Sequence, residues 1–279
     1  IAKPDTCVIT NIGTCHLENL GDRDGVLKAK TEIFQSMKTN GHIVLNGDDD
    51  KLITVSEYNG VKPVFFGLND NRDVYADQIE SKGLKGVACR IHLGEEAFDV
   101  LVPTPGIHMV YNALAAAAVG RIYGLTIEEI KRGIESLETI RGRFKMIETD
   151  KFLVVDDCYN ANPMSMKASL DVLHDGEGRR VAILGDMGEL GEDEIVLHEG
   201  VGTHAATCGI DACVCVGDLA LHIAEAARKA NPEFPVYYEK TRESFLEHLN
   251  DYVQKGDTIL VKASHFMKFE EVVKALEEM

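Results

Sequence analysis

The chain has 279 residues, with 29 Lys and Arg against 46 Asp and Glu, for a formal net charge of −17. That balance argues against nucleic-acid binding by bulk electrostatics, since phosphate-backbone binders present a basic face; it leaves room for a local basic pocket around a nucleotide. Hydrophobic residues make up 45% of the chain, enough for real cores, and the length suits about two domains. No apolar run is long enough to span a bilayer. No signal peptide opens the sequence. The seven cysteines form neither a C-x-x-C pair nor zinc-type spacings, which points to reduced structural thiols and a cytoplasmic setting.

In chain order, Cys7 to Asn11 reads as a strand, Arg23 to Met37 as a helix, His42 to Asn46 and Val64 to Gly67 as further strands. Short alternating runs broken by Gly between Val74 and Pro103 predict an antiparallel excursion. Ile107 to Tyr123 is an Ala-rich helix, and Thr126 caps another that ends near Leu137. The second half alternates regularly. Strands are expected near Phe152–Val155, Arg180–Leu184, Ala212–Val216, Val236–Tyr238 and Thr258–Val261. Helices are expected at Met164–Leu173, Glu194–Thr207, Leu219–Ala230, Ser244–Val253 and Met267–Leu276. Strands separated by helices mean βαβ units and a mostly parallel sheet. Cys213 and Cys215 share one face of their strand as small core residues. The boundary between the two patterns falls near Thr139 to Phe144.

The most informative stretch is Asp156-Asp157-Cys158-Tyr159-Asn160-Ala161-Asn162-Pro163, set between an apolar strand and a helix. Ligands of open α/β sheets bind at such strand-to-helix handovers. Carboxylates and amides there suit hydroxyls, amines or a solvated cation; the plain alternative is an acidic turn closing a strand. LGDMGELG, from Leu184, also follows a strand. It lacks a Lys and has the wrong charge for a phosphate loop.

DDCYNANPMSMKASL resembles the DD-x-YNANP-x-SMKAAL signature of the Mur ligases. ITNIGTCHLENLG from Ile9, AKTEIF from Ala29, LNGDDD from Leu45, PGIHMVYNALAAAAVG from Pro105, RGRF from Arg141, LGDMGELG and VKASHFMKFE from Val261 follow in that family's order. The resemblance covers nearly the whole chain, but a G-x-x-G-K-[ST] phosphate loop and an amino-terminal UDP-sugar domain are absent from the sequence. By resemblance, then, residues 1–141 are the carboxyl-terminal part of a central ATP-binding α/β domain and residues 142–279 a Rossmann-like, mostly parallel α/β domain. The chain reads as part of a longer enzyme and is expected to be inactive alone.

Within the family, the pattern looks most like the members that add D-alanyl-D-alanine to UDP-N-acetylmuramoyl-tripeptide in peptidoglycan precursor synthesis, using ATP and Mg²⁺ through an acyl phosphate. The alternatives are another Mur or polyglutamate-type ligase, or a non-catalytic nucleotide- or precursor-binding module. The resemblance implies a cytoplasmic bacterial enzyme, monomeric when intact, with no nucleic-acid partner and no membrane insertion.

It also assigns roles. His16 binds Mg²⁺, an unusual nitrogen ligand for a hard cation; a lone His of this kind otherwise caps or sits on the surface. Lys30 carries a carbamate whose oxygens bind a second Mg²⁺; without the family it reads as a helix lysine paired with Glu32 or Asp24. Asn112 binds the adenine edge. Arg143 reaches the ATP phosphates as the domains close about the boundary. Asp157 binds the ribose hydroxyls, and Asn160, with Asp156 and Asn162, holds that loop. Ser264 and His265 help hold the dipeptide.

Overall fold

The computed structural model describes residues 2–13 and 20–279, so His16 lies outside the described residues. The chain divides into two compact units, Ile1–Glu138 and Thr139–Met279. No helix among the described residues is long and apolar enough to cross a membrane.

The first unit is built on a sheet of six strands in sequential order: β1 (Thr6–Ile9), β2 (His42–Asn46), β3 (Val64–Gly67), β4 (Val74–Ser81), β5 (Val87–Leu93) and β6 (Glu96–Val102). β1 through β4 run parallel, and β4, β5 and β6 form the expected antiparallel excursion. β2 is apolar on both faces because both are covered. Ile43 and Leu45 join a core with Cys7, Ile9, Val26 and Phe34, while Val44 joins Phe66, Val110 and Leu114 in another. β5 alternates instead, burying Val87, Cys89, Ile91 and Leu93.

Helix α1 (Arg23–Thr31) starts at Asp22, whose carboxylate accepts the Gly25 N–H at 2.9 Å. The expected helix to Met37 tightens into a 3₁₀ segment at Glu32–Ser36. The Thr31 hydroxyl donates to the Leu27 carbonyl at 2.8 Å, in competition with the helical ladder. In α2 (Ile107–Ile122) the buried run Ala113, Leu114, Ala115, Ala117, Ala118 allows close approach to the sheet. In α3 (Ile127–Glu135) Thr126 and Glu129 form a capping box.

The second unit has the strand order β11-β10-β9-β12-β8-β7, from β7 (Lys145–Glu148), β8 (Leu153–Asp156), β9 (Arg180–Gly185), β10 (Ala212–Val216), β11 (Val236–Glu239) and β12 (Thr258–Lys262). β7 is antiparallel; the rest are parallel. The helices α4 (Pro163–His174), α5 (Glu194–Ala205) and α6 (Ala220–Ala230) pack together along one face. The other face holds α7 (Arg242–Glu247), α8 (Leu249–Tyr252) and α9 (Glu270–Glu277), which supply Phe245, Leu249, Val272 and Leu276 to a core with Val154, Ile183, Val214 and Ile259. β12 inserts between β8 and β9, so the sheet has a topological switch point there. The loops after these strands share one end of the sheet.

Sequence periodicity missed β7, whose residues are half-exposed and do not alternate. The single helix expected over Ser244–Val253 breaks at His248. His248 Nδ1 lies 3.1 Å from Glu239 and the Tyr252 hydroxyl donates to Glu239 at 2.6 Å, drawing both side chains to the end of β11. α9 starts at Glu270 because Ser264 to Lys268 form a tight turn that ends with Lys268 at φ +54°. Cys213 and Cys215 are fully buried, with their sulfurs 3.6 Å apart.

His198 of α5 is fully buried; its Nε2 accepts the Met187 N–H at 2.9 Å and its Nδ1 faces the Glu194 carbonyl at 2.6 Å. That pair of partners requires the neutral ring protonated at Nδ1. Burial holds its pKa below the ordinary 6.5. Below pH 6.5 the unfolded chain therefore takes up a proton that the folded chain refuses, and stability falls as pH drops from 6.5 toward the lowered folded value. The melting temperature of the wild type should decline across this window, and His198→Gln, which cannot titrate, should flatten the decline; identical pH profiles would reject this role.

Candidate active site

In the first unit, motifs distant in sequence meet at the carboxyl end of the parallel strands. The segment leaving β1 is held from several sides. Asn46 Nδ2 donates to the Thr10 carbonyl at 3.0 Å, Asp49 accepts the Ile12 N–H at 2.8 Å, and Arg23 Nε donates to the Ile12 carbonyl at 2.9 Å. Arg23 also pairs with Asp50, so LNGDDD and the start of α1 lock together. Lys30 reaches the same segment, with Nζ donating to the Asn11 carbonyl at 2.8 Å. The AKTEIF lysine is thus brought to the loop that leads toward His16. The ammonium is exposed and has a single described acceptor. As an ammonium it has no lone pair for a metal; only a carbamate would put oxygens there. Among the described residues no three His, Cys, Asp or Glu side chains converge to hold a metal.

On α2, Tyr111 donates to Asp48 at 3.2 Å, and burial beside that carboxylate pushes the phenol up to about 12. Asp48 also accepts Arg72 Nε at 3.1 Å and the Leu68 N–H, joining the loops after β2 and β3. Asn112 follows Tyr111 and borders a mainly apolar cavity of about 420 Å³ with Met109, Ala113, Ile130 and Leu137. Its amide donates to the Met109 sulfur at 3.4 Å, a weak acceptor that a purine nitrogen would outcompete.

In the second unit the switch point gathers three motifs. Asp157 ends the DD pair, and its Oδ2 accepts Lys262 Nζ at 2.6 Å and the Ser169 hydroxyl at 2.7 Å. Its Oδ1 accepts the Phe144 N–H at 3.2 Å. A carboxylate has about four lone-pair directions, so one on Oδ1 is left to accept a hydroxyl. Lys262 closes β12, is only 2% exposed, and also donates to the Asn160 carbonyl at 3.1 Å. The Asn160 side chain accepts the Ala161 N–H at 2.9 Å, and Asn162 forms a capping box with Ser165 at the start of α4, with Pro163 in its first turn. Asp156 accepts the Gly142 N–H at 2.8 Å.

Ser264 is buried. It accepts the Gly188 N–H at 2.9 Å and faces the Ala161 carbonyl at 3.5 Å, so it ties LGDMGELG to YNANP. Asp186, in the same loop, accepts the Ala220 N–H at 2.7 Å; burial raises its pKa. Arg143 and His265 both lie against Tyr159. The guanidinium carbon is 4.1 Å from the Tyr159 ring centroid, and the His265 ring centroid is 5.7 Å away.

The structure therefore brings Asp157 and Asn160 together on Lys262, sets Ser264 against the Ala161 carbonyl of the same loop, and brings Arg143 and His265 together on Tyr159. Lys262 and Tyr159 were not singled out in the sequence. A charged residue ending the apolar strand Thr258-Ile259-Leu260-Val261 was a usable signal for Lys262, since a buried lysine needs a partner.

The Mur ligase middle domain model matches residues 1–120, and the model described as Mur ligase, glutamate ligase domain matches residues 142–265. The chain is 35% identical over 281 aligned residues to UDP-N-acetylmuramoyl-tripeptide--D-alanyl-D-alanine ligase of Bacillus subtilis, covering all of this chain and 60% of that protein. Among solved structures, MurF from Acinetobacter baumannii superposes with a TM-score of 0.88 at 30% identity, over 99% of this chain and 60% of that one. MurF ligase from Thermotoga maritima in complex with ADP gives 0.83 at 26% identity, over 99% and 62%. The chain thus spans about 60% of the length of the relatives it matches. Carrying both domain types in order, with the motif loops gathered at the strand ends, the chain belongs to the Mur ligase family.

Proposed function

We propose that the protein to which these residues belong joins D-alanyl-D-alanine to UDP-N-acetylmuramoyl-tripeptide and converts ATP to ADP and phosphate. The likeness of the whole of this chain to 60% of the Bacillus subtilis ligase carries this reading. The terminal carboxylate of the tripeptide attacks the γ-phosphorus, and ADP leaves. The dipeptide amine then attacks the acyl carbon of the acyl phosphate, phosphate leaves, and the amine loses a proton. Phosphoryl transfer of this kind is mostly a positioning and electrostatic task.

The residues divide that task. Asn112 offers an amide donor and acceptor beside an apolar cavity, which suits a purine edge. Asp157 keeps an acceptor for a ribose hydroxyl, and Lys262 and Ser169 hold it in place. Arg143 presents a planar cation suited to phosphate oxygens. Asn160 supports this loop. Ser264 and His265 stand on the loop assigned to the dipeptide, Ser264 by holding it and His265 by facing outward. Mg²⁺ neutralises phosphate oxygens when bound. His16 would hold one ion, and Lys30, as a carbamate, would hold a second. The Lys30 site supports this in part, since its nitrogen sits at the loop leading to His16. The Thermotoga maritima complex with ADP supports nucleotide use. The reading places the enzyme in the bacterial cytoplasm as a monomer.

Three outcomes test this reading. Lys30→Ala in the full-length protein should abolish ligation, with partial recovery on adding short carboxylic acids; full activity without them would reject the carbamate. Lys262→Met should destabilise the second unit by about 3–5 kcal/mol in denaturant unfolding, because it leaves a largely buried carboxylate, 15% exposed, without its cation. A loss below about 1 kcal/mol would put the pair in the class of surface ion pairs. A polypeptide of these 279 residues alone should form no ADP above background with ATP, Mg²⁺ and both substrates, since its sequence contains no phosphate loop to supply the N–H groups, Lys and hydroxyl. Turnover by it would overturn the account.

A further inference from the structure

We propose that Tyr159 is the positioning residue for Arg143, acting through its ring rather than its hydroxyl. The inference rests on the reading of Arg143 as a phosphate contact and adds the device that presents it.

The backbone on both sides of Arg143 is fixed by the segment that carries Tyr159. The Gly142 N–H donates to Asp156 at 2.8 Å, the Phe144 N–H donates to Asp157 at 3.2 Å, and the Tyr159 N–H donates to the Gly142 carbonyl at 3.0 Å. Gly142 and Phe144 both take left-handed conformations, at φ +77° and +55°. For Phe144 this is a strained state that persists only where its surroundings impose it. At Gly142 a Cβ would come within 3.0 Å of the Tyr159 Cβ, so the turn presses against the tyrosine and only glycine fits without a shift. From that turn the Arg143 side chain passes over the ring, 4.1 Å from its centroid. His265 stands beside the same ring, its centroid 5.7 Å away and its plane tilted by 37°.

The choice of partner has a chemical consequence. Arg141 spends its guanidinium on Glu277, at 2.9 and 3.1 Å. A carboxylate partner fixes an arginine but consumes in-plane donors and cancels its charge. A ring holds the guanidinium by its flat face. The N–H groups point outward in the guanidinium plane and stay available to phosphate oxygens. Among the described residues the side chain is thus held with its charge and donors unspent.

A double-mutant cycle in the full-length protein tests this, reading kcat and KM for ATP by phosphate release, with melting temperatures as a folding control. Tyr159→Phe should keep wild-type kinetics. Tyr159→Leu should lower kcat/KM for ATP by about two- to fivefold, the size of an exposed cation–ring contact. The loss should fall on the same kinetic parameter that Arg143→Ala affects, and should vanish when Tyr159→Leu is added to Arg143→Ala. An equal loss from Tyr159→Leu with Arg or Ala at 143 would overturn the positioning role while leaving the phosphate contact standing. A Tyr159→Phe variant as impaired as Tyr159→Leu would overturn the role of the ring. Unchanged turnover in Arg143→Ala would refute the phosphate contact itself, and the proposal with it.

Discussion

The ammonium of Lys262 is the point on which the second unit's functional end depends. A lysine at 2% exposure is tolerable only with acceptors close by, and here the acceptors are the Asp157 carboxylate and the Asn160 carbonyl. Satisfying that one cation draws the loop after β8 over the end of β12. The same carboxylate reaches the Ser169 hydroxyl in α4 and the Phe144 N–H before β7. A single charge thus sets the geometry of strand end, loop, helix and turn. The insertion of β12 between β8 and β9 makes this possible, because it places a lysine from late in the chain beside an aspartate from much earlier.

The first unit solves a similar problem with opposite charges. Its loops carry the carboxylates Asp48, Asp49 and Asp50, which bind backbone N–H groups and the guanidinium groups of Arg23 and Arg72. The strongly acidic composition is therefore compatible with a nucleotide enzyme. Part of the acid is spent inside the scaffold, and the exposed cations Lys30 and Arg143 stand at the motif loops.

The fold was legible where one residue pattern had one reading. His42–Asn46, Val64–Gly67 and Ala212–Val216 form strands with the expected limits, and the antiparallel excursion and the βαβ series are present. Two of the misses share a cause, since both depend on contacts from outside the segment. β7 has no alternation of its own and exists because β8 offers it an edge. The break at His248 follows from Glu239 on another element. For the site, motif order found the loops but could not rank the residues within them. Asp157 drew notice as an acid, whereas Lys262 looked like the end of a strand and Tyr159 like one letter of a motif. Their importance lies in pairings across 105 and 16 positions, and such pairings are invisible to local periodicity.

The paired sulfurs of β10 have a consequence for how the second unit can be observed. Cys213 and Cys215 sit in an interior strand with no exposure, and the hydrogen bond between them together with burial raises the Cys213 thiol. A thiol reacts as its thiolate, so a bulky alkylating reagent meets these sulfurs only when β10 leaves the sheet. Cys208, only partly buried at the end of the preceding helix, needs no more than a local fluctuation. Cys208 and the β10 pair therefore give two chemical clocks: one runs at the pace of surface breathing, the other at the pace of cooperative opening. The ratio of their rates measures how rigidly the sheet beneath the motif loops is held.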